Sequence, residues 1–178
     1  MPGSLILLDS ATASNSASVS LGASNWNTGF DVYKVVLNDV TNSSTGSYYS
    51  LFARVLTSGS AQDDSNYDNV HKGLWANGSF QNVVYNNQTS WSISGTGMDN
   101  NGTSESFNGV LYLFNFNNAS EYSFITLEAS LVNADGQLYG FQGANVKTTT
   151  EANNGIQFFY SSENILTGNF QLFGIKKD

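Results

Sequence analysis

Short apolar runs recur along the whole chain, each bounded by Gly, Asn, Ser or Asp, and a helical rhythm is nearly missing. Runs of this kind predict β-strands. They fall near 4–9, 16–21, 29–40, 48–57, 79–85, 89–94, 106–116, 122–133, 136–146, 154–161 and 168–176. Alternation is clearest in Val110-Leu111-Tyr112-Leu113-Phe114-Asn115-Phe116, where 110, 112, 114 and 116 share one face. In Ile125-Thr126-Leu127-Glu128-Ala129-Ser130-Leu131 the odd positions are apolar and the even ones polar. That is the pattern of a half-buried strand in an antiparallel sheet. Asp31-Val32-Tyr33-Lys34-Val35-Val36-Leu37 is apolar on both sides and predicts a central strand. "NADG" at 133–136 predicts a hairpin. A short helix is expected at 65–75.

Many short strands with polar turns and no helical spacers predict an all-β fold. The expected form is an antiparallel β-sandwich, jelly-roll-like, of about ten short strands, one domain over 1–178. Residues 1–24 turn Ser/Ala-rich after "SLILL" and read as an edge strand or an N-terminal arm contacting neighbours. The last run, 168–176, is expected to complete the sandwich and close a sheet edge.

Composition sharpens this picture. Hydrophobic residues make up 40% and aromatic residues 13%, enough for a real core. Only 11% are charged, well below the usual quarter, so the surface is polar but mostly uncharged. Surfaces of that kind suit one rigid body packed on another, because few charges need desolvating. The net charge is −8, and the six basic residues are spread along the chain. Nucleic acid and anionic membrane surfaces call for clustered basic residues, so neither is an expected partner. The opening Met1-Pro2-Gly3 lacks a basic n-region and Leu5–Leu8 is short for an h-region, so no secretory signal is expected. No apolar stretch reaches membrane-spanning length. Cysteine is absent, so there is no disulfide framework.

Candidate chemistry is sparse. His71 is the single histidine, and with no cysteine it makes no ordinary zinc or triad constellation; a polar residue on a loop or short helix is the plain expectation. "QDDSNYDN" (62–69) holds Asp63, Asp64 and Asp68, hard oxygen ligands of the type calcium takes, although the spacing is not that of an EF-hand. "GMDNNGTSE" (97–105) offers Asp99, Asn100 and Glu105 in the same way. Solvated turns are the plain alternative for both. Glycoside hydrolysis needs two facing carboxylates. Glu105, Glu121, Glu128, Glu151 and Glu163 are available, but no spacing singles out a pair. Trp26, Trp75 and Trp91 are the natural candidates for a sugar-stacking platform, with Trp75 and Trp91 the chosen pair, against the alternative of core or interface packing. The N-x-S/T triplets at Asn42, Asn77, Asn87, Asn101 and Asn118 follow from Asn, Ser and Thr abundance. No catalytic or cofactor-binding residue is assigned.

Two segments carry a resemblance. "FDVYKVVLNDV" (30–40) resembles an early strand of small virion proteins of tailed bacteriophages, among them those of cyanophages and other aquatic phages. "GIQFFYSSENILTGNFQLFGIKK" (155–177) resembles their closing pattern: an apolar strand, then S-x-N-I-x-[ST]-G, then a strand ending [LY]-[FY]-G-[IV]. "LILLDSATASNSASVSL" and "GVLYLFNFNNASEYSFITLEAS" fit the opening and central strands of the same proteins, and the match is loose over 60–105. The resemblance implies a one-domain β-sandwich and a non-enzymatic structural role in the virion. It implies a capsid decoration (cement) protein, made in the bacterial host cytoplasm. Such a protein would sit on the outer capsid surface as a homotrimer bound to the major capsid protein. The alternative it leaves is a tail or fibre component that binds host surface glycans, with Trp75 and Trp91 as the stacking residues.

Overall fold

Period-2 burial marks the strands of the computed structural model, which describes residues 4–98, 105–133 and 135–176. In β10 (Ser123–Val132) Ser123, Ile125, Leu127 and Leu131 are buried while Phe124, Thr126, Glu128 and Ser130 are exposed. Thirteen strands follow in chain order among the described residues: β1 (Leu5–Ser16), β2 (Val19–Gly22), β3 (Val32–Asn42), β4 (Leu51–Thr57), β5 (Ser60–Ala61), β6 (Tyr67–Trp75), β7 (Phe80–Gln88), β8 (Trp91–Ser92), β9 (Phe107–Phe114), β10, β11 (Leu138–Lys147), β12 (Gly155–Tyr160) and β13 (Ile165–Ile175). The only helical piece among the described residues is a single 3₁₀ turn, Ala23–Asn25.

The strands form two antiparallel sheets, β1-β13-β3-β9-β10-β11-β6-β7 and β2-β12-β4-β5, with β8 paired to β4. The pairing is nested. β1 pairs β13, β2 pairs β12, β3 pairs β9 and β4 pairs β8. The rolled hairpin then closes on itself, since β13 also pairs β3 and β12 also pairs β4. A long hairpin wound across two sheets in this way is a jelly roll. Two insertions enlarge it. β5–β7 enter between β4 and β8, and β10–β11 between β9 and β12. Together they extend the larger sheet by the block β10-β11-β6-β7.

One contiguous core lies between the sheets. The larger sheet contributes Tyr33, Val35, Leu37, Leu111, Leu113, Ile125, Phe170 and Leu172; the smaller contributes Leu51, Ala53, Val55, Ile156 and Phe158. Inward-facing apolar side chains from both sheets interdigitate, and this burial is the main driving force for the fold.

Two expectations change. The expected helix at 65–75 is β6, hydrogen-bonded on both sides, to β11 and to β7. Two long flanking strands satisfy its backbone, which an isolated helical turn could not match. The final strand does not close a sheet edge: β13 runs between β1 and β3, and β1 is the edge. The Ser/Ala-rich stretch 10–16 belongs to β1, in register with 165–171 of β13.

Candidate functional site

Register across the larger sheet puts its outward side chains in straight rows. One row runs Leu5, Ile175, Val32, Phe114, Phe124, Val146 from β1 to β11. The next includes Leu7, Phe173, Lys34, Tyr112, Thr126, Ala144, Val70 and Val84. Leu74 and Phe80 pair at the far end. Most of the exposed large hydrophobics among the described residues stand on this one face, including Leu7 at 52%, Val84 at 60% and Phe80 at 68% exposure. The charged positions in these paired rows are Lys34, Lys72, Asp68 and Glu128. Both lysines lie against rings, Lys34 Nζ 5.8 Å from the Tyr112 centroid and Lys72 Nζ 5.2 Å from that of Phe80. Their stems therefore cover apolar surface as well as carrying charge.

The face is not flat. Outward positions on β11 are small at Gly140 and Ala144, between larger neighbours on β10 and β6. A Cβ added at Gly140 would meet nothing within 4 Å. Two shallow hollows result, of about 590 Å³ and 720 Å³. The cross-strand row Glu128, Gln142, Lys72 borders both. The first hollow is bounded by Leu74, Trp75, Phe80 and Leu138, the second by Val70, Val84 and Tyr112. Contiguous apolar surface of this kind, broken by few charges, marks an interaction surface. Hollows in it accept side chains of a docked body.

The inner face of the same block mixes core side chains such as Tyr67, Ile125, Leu127 and Tyr139 with buried polar ones. His71 and Asn145 are buried, with His71 Nε2 2.8 Å from Asn145 Oδ1. Burial pushes the His71 pKa down from 6.5 against a smaller upward pull from Asn145, so the ring is neutral in the fold. Gly143 makes this possible: a Cβ there would lie 2.2 Å from the His71 ring. Gly73 likewise leaves room for the Tyr139 ring. His71 thus sits on a buried strand face, not on a loop or short helix.

The expected calcium ligands do not converge. Lys147, fully buried, ion-pairs with Asp64 at 3.0 Å and Glu151 at 2.9 Å, and its Nζ lies 5.1 Å from the Tyr67 ring centroid. Asp64 also accepts from Asn66 Nδ2. Burial raises the Asp64 pKa, but the hydrogen bonds from Lys147 and Asn66 and the ammonium charge outweigh it, leaving the carboxyl below its usual value. An ammonium ion already takes the place a metal cation would. Asp68 faces the opposite side of the sheet, where it accepts the Asn87 backbone N–H at 2.7 Å. Asp63 is exposed. Among the described residues no group of three His, Cys, Asp or Glu side chains is placed to hold a metal. Asp99, Asn100 and Asn101 lie outside the described residues.

The three tryptophans separate. Trp91 is fully buried, donates its Nε1–H to Val146 O at 3.0 Å and meets Tyr67 edge-on. It is a core residue and offers no face to a sugar, which corrects the expectation for it. Trp26 stacks on Tyr33 at 3.9 Å and donates to Asn117 Oδ1. Trp75 is half-buried, 4.3 Å from Tyr139, and borders the first hollow. Four of the glutamates do not face one another either: Glu121 bonds Asn115, Glu151 meets Lys147, Glu163 accepts from Ser43, and Glu128 stands on the outer face, while Glu105 is buried. Asn42 is buried, donating to Met98 O and accepting from the Ser44 N–H, so it is closed to glycosylation in the folded chain.

The outer face was not legible as a site beforehand. Val70, Leu74, Phe80 and Val84 read as ordinary strand hydrophobics, and only sheet register shows that they point away from the core. No helix among the described residues is long and apolar enough to cross a membrane. Compared with models of known protein families and with curated proteins, the chain matches none.

Proposed function

We propose that this chain is a non-enzymatic structural protein of a tailed-bacteriophage particle, a capsid decoration (cement) protein. It binds the major capsid protein on the outer capsid surface through the apolar outer face of the larger sheet. The observation that carries the reading is that face: an apolar, charge-poor surface with two shallow hollows. A protein that binds the assembled shell and not its dissociated subunits stabilises the shell by mass action. Many copies in a lattice let each contact be weak. The resemblance of the closing segment 155–177 to small virion proteins, which also implies a homotrimer, is a second and independent support.

Cryo-EM of the particle that encodes the chain tests it. Density in many copies at three-fold or quasi-three-fold positions on the outer shell supports the proposal. Density confined to the tail, or none, overturns it. A second reading, a tail or fibre component that binds host glycans, rests on Trp75 beside Glu128 and Gln142 in the first hollow. A glycan array with no signal for the wild type, or with signal unaffected by Trp75→Ala, removes it.

A further inference from the structure

β7 gives way to β8 beside the outward face of β4. A cleft of about 470 Å³ opens there, in the size range of small-molecule sites. One wall is the outward face of β4 and β12, where Phe52 and Phe159 are cross-strand partners stacked at 5.9 Å. Arg54 lies on that wall with its guanidinium carbon 4.5 Å from the Phe159 centroid. Its Nε–H donates to the Thr89 carbonyl at 3.0 Å from the opposite wall. The guanidinium is therefore held on two sides, and its terminal nitrogens form a preorganised fork for a carboxylate.

The rest of the lining is neutral and hydrogen-bonding. Ser90 and Ser92, at 9% and 4% exposure, contribute hydroxyls. At the base lies Asn69, 1% exposed, whose Nδ2 and Oδ1 both lack a protein partner. A buried amide with neither group paired is costly, and a ligand with both donors and acceptors relieves it. Although the chain carries a net charge of −8, Arg54 is the one charged residue lining this cleft among the described residues. A positive fork, hydroxyls, an amide and an aromatic wall together match a sugar that bears a carboxylate.

We propose that the cleft between β4, β12 and the β7–β8 junction binds a carboxylate-bearing sugar of uronic-acid type. Arg54 takes the carboxylate, Ser90, Ser92 and Asn69 take ring hydroxyls, and Phe52 and Phe159 pack against ring C–H groups. The site is separate from the outer face of the larger sheet and does not depend on shell docking.

The test is titration of the isolated full chain, followed by calorimetry and by NMR, with glucuronate, glucose and acetate in parallel. Glucuronate is expected to bind saturably, with resonances of Ser92 and Phe159 shifting. Glucose and acetate are each expected to bind at least roughly tenfold more weakly, since each lacks one half of the recognition. Arg54→Gln should bring glucuronate down to the level of glucose. Gln88 lines the exposed rim, where its amide reaches a further hydroxyl; Gln88→Ala should therefore weaken glucuronate while leaving thermal unfolding unchanged, and so reports even where Arg54→Gln is unstable. Absence of saturable glucuronate binding, or glucose binding as well as glucuronate, overturns the proposal. Acetate binding as well as glucuronate reduces the site to a general carboxylate contact and overturns the sugar assignment. None of these outcomes bears on particle location, which tests the function proposed above.

Discussion

The two halves of the larger sheet differ in how many polar residues they turn inward. In β3 the inward positions Tyr33, Val35 and Leu37 are apolar and pack on the smaller sheet. In β6 the inward positions include Asn69 and His71, while the outward ones are Val70, Lys72 and Leu74. β11 follows β6, with Asn145 and Lys147 inside and Leu138 outside. Burying polar groups costs free energy unless they are paired, and exposing apolar ones forfeits burial. The inward side of the β3 half is thus almost wholly apolar. The inserted block spends stability on an outward surface that gains only when something covers it.

The largest effect that separates the halves is at the core. Trp91→Ala should destabilise the fold by about 3–5 kcal/mol, the usual cost of an excised large aromatic, read as a lower urea midpoint. A loss under about 1 kcal/mol would mean the two sheets do not pack as described. Next, Gly143→Ala puts a methyl into the His71 ring and should cost about 1–3 kcal/mol as overpacking, whereas Gly140→Ala, on the outward face of the same strand, meets open space. Equal unfolding midpoints for the two variants would refute the inward-outward assignment of β11.

A pH titration comes third. His71 is held neutral by burial, its pKa below 6.5 in the fold. The unfolded chain therefore binds more protons in that window, so stability is fully present above the unfolded value and falls as pH drops below it. His71 is the single histidine. His71→Asn should flatten the stability profile between about pH 6.5 and the lower carboxylate range, and an unchanged slope would contradict a buried neutral ring. The smallest stability effect is expected at the outer face. Leu74→Ser and Val84→Ser should each change stability by no more than about 0.5 kcal/mol, while lowering co-sedimentation with capsid shells. Retained co-sedimentation in the double variant would move the contact elsewhere.

The same contrast explains what could be read from the chain. β10 and β13 were legible because apolar and polar residues alternate there with the apolar set inward, whereas β9 is apolar on both faces, with Leu111 and Leu113 inward and Val110, Tyr112 and Phe114 outward. β6 was mistaken for a helix because "NVHKGLW" mixes polar inward residues with apolar outward ones, so its period-2 signal points to no single face. Asp63, Asp64 and Asp68 looked like one cluster because sequence proximity conceals strand alternation and the loop that turns Asp64 toward Lys147. Trp75 and Trp91 looked alike as residues; their environments differ because β6 ends at the rim of the sheet while β8 pairs inside with β4.

Sequence alone determined the all-β class and the antiparallel sheet character, since alternation and turn residues act locally through backbone geometry. It also determined the low charge of the surface. Tertiary structure decided everything that depends on contacts between distant residues: the nested pairing that brings β1 beside β13, the direction in which each strand turns its side chains, and the burial of Lys147 between Asp64 and Glu151. It also assembled the cleft that Arg54 and Asn69 both line. A period-2 pattern defines two faces but does not say which one the rest of the chain will cover; only the packed sheets break that symmetry.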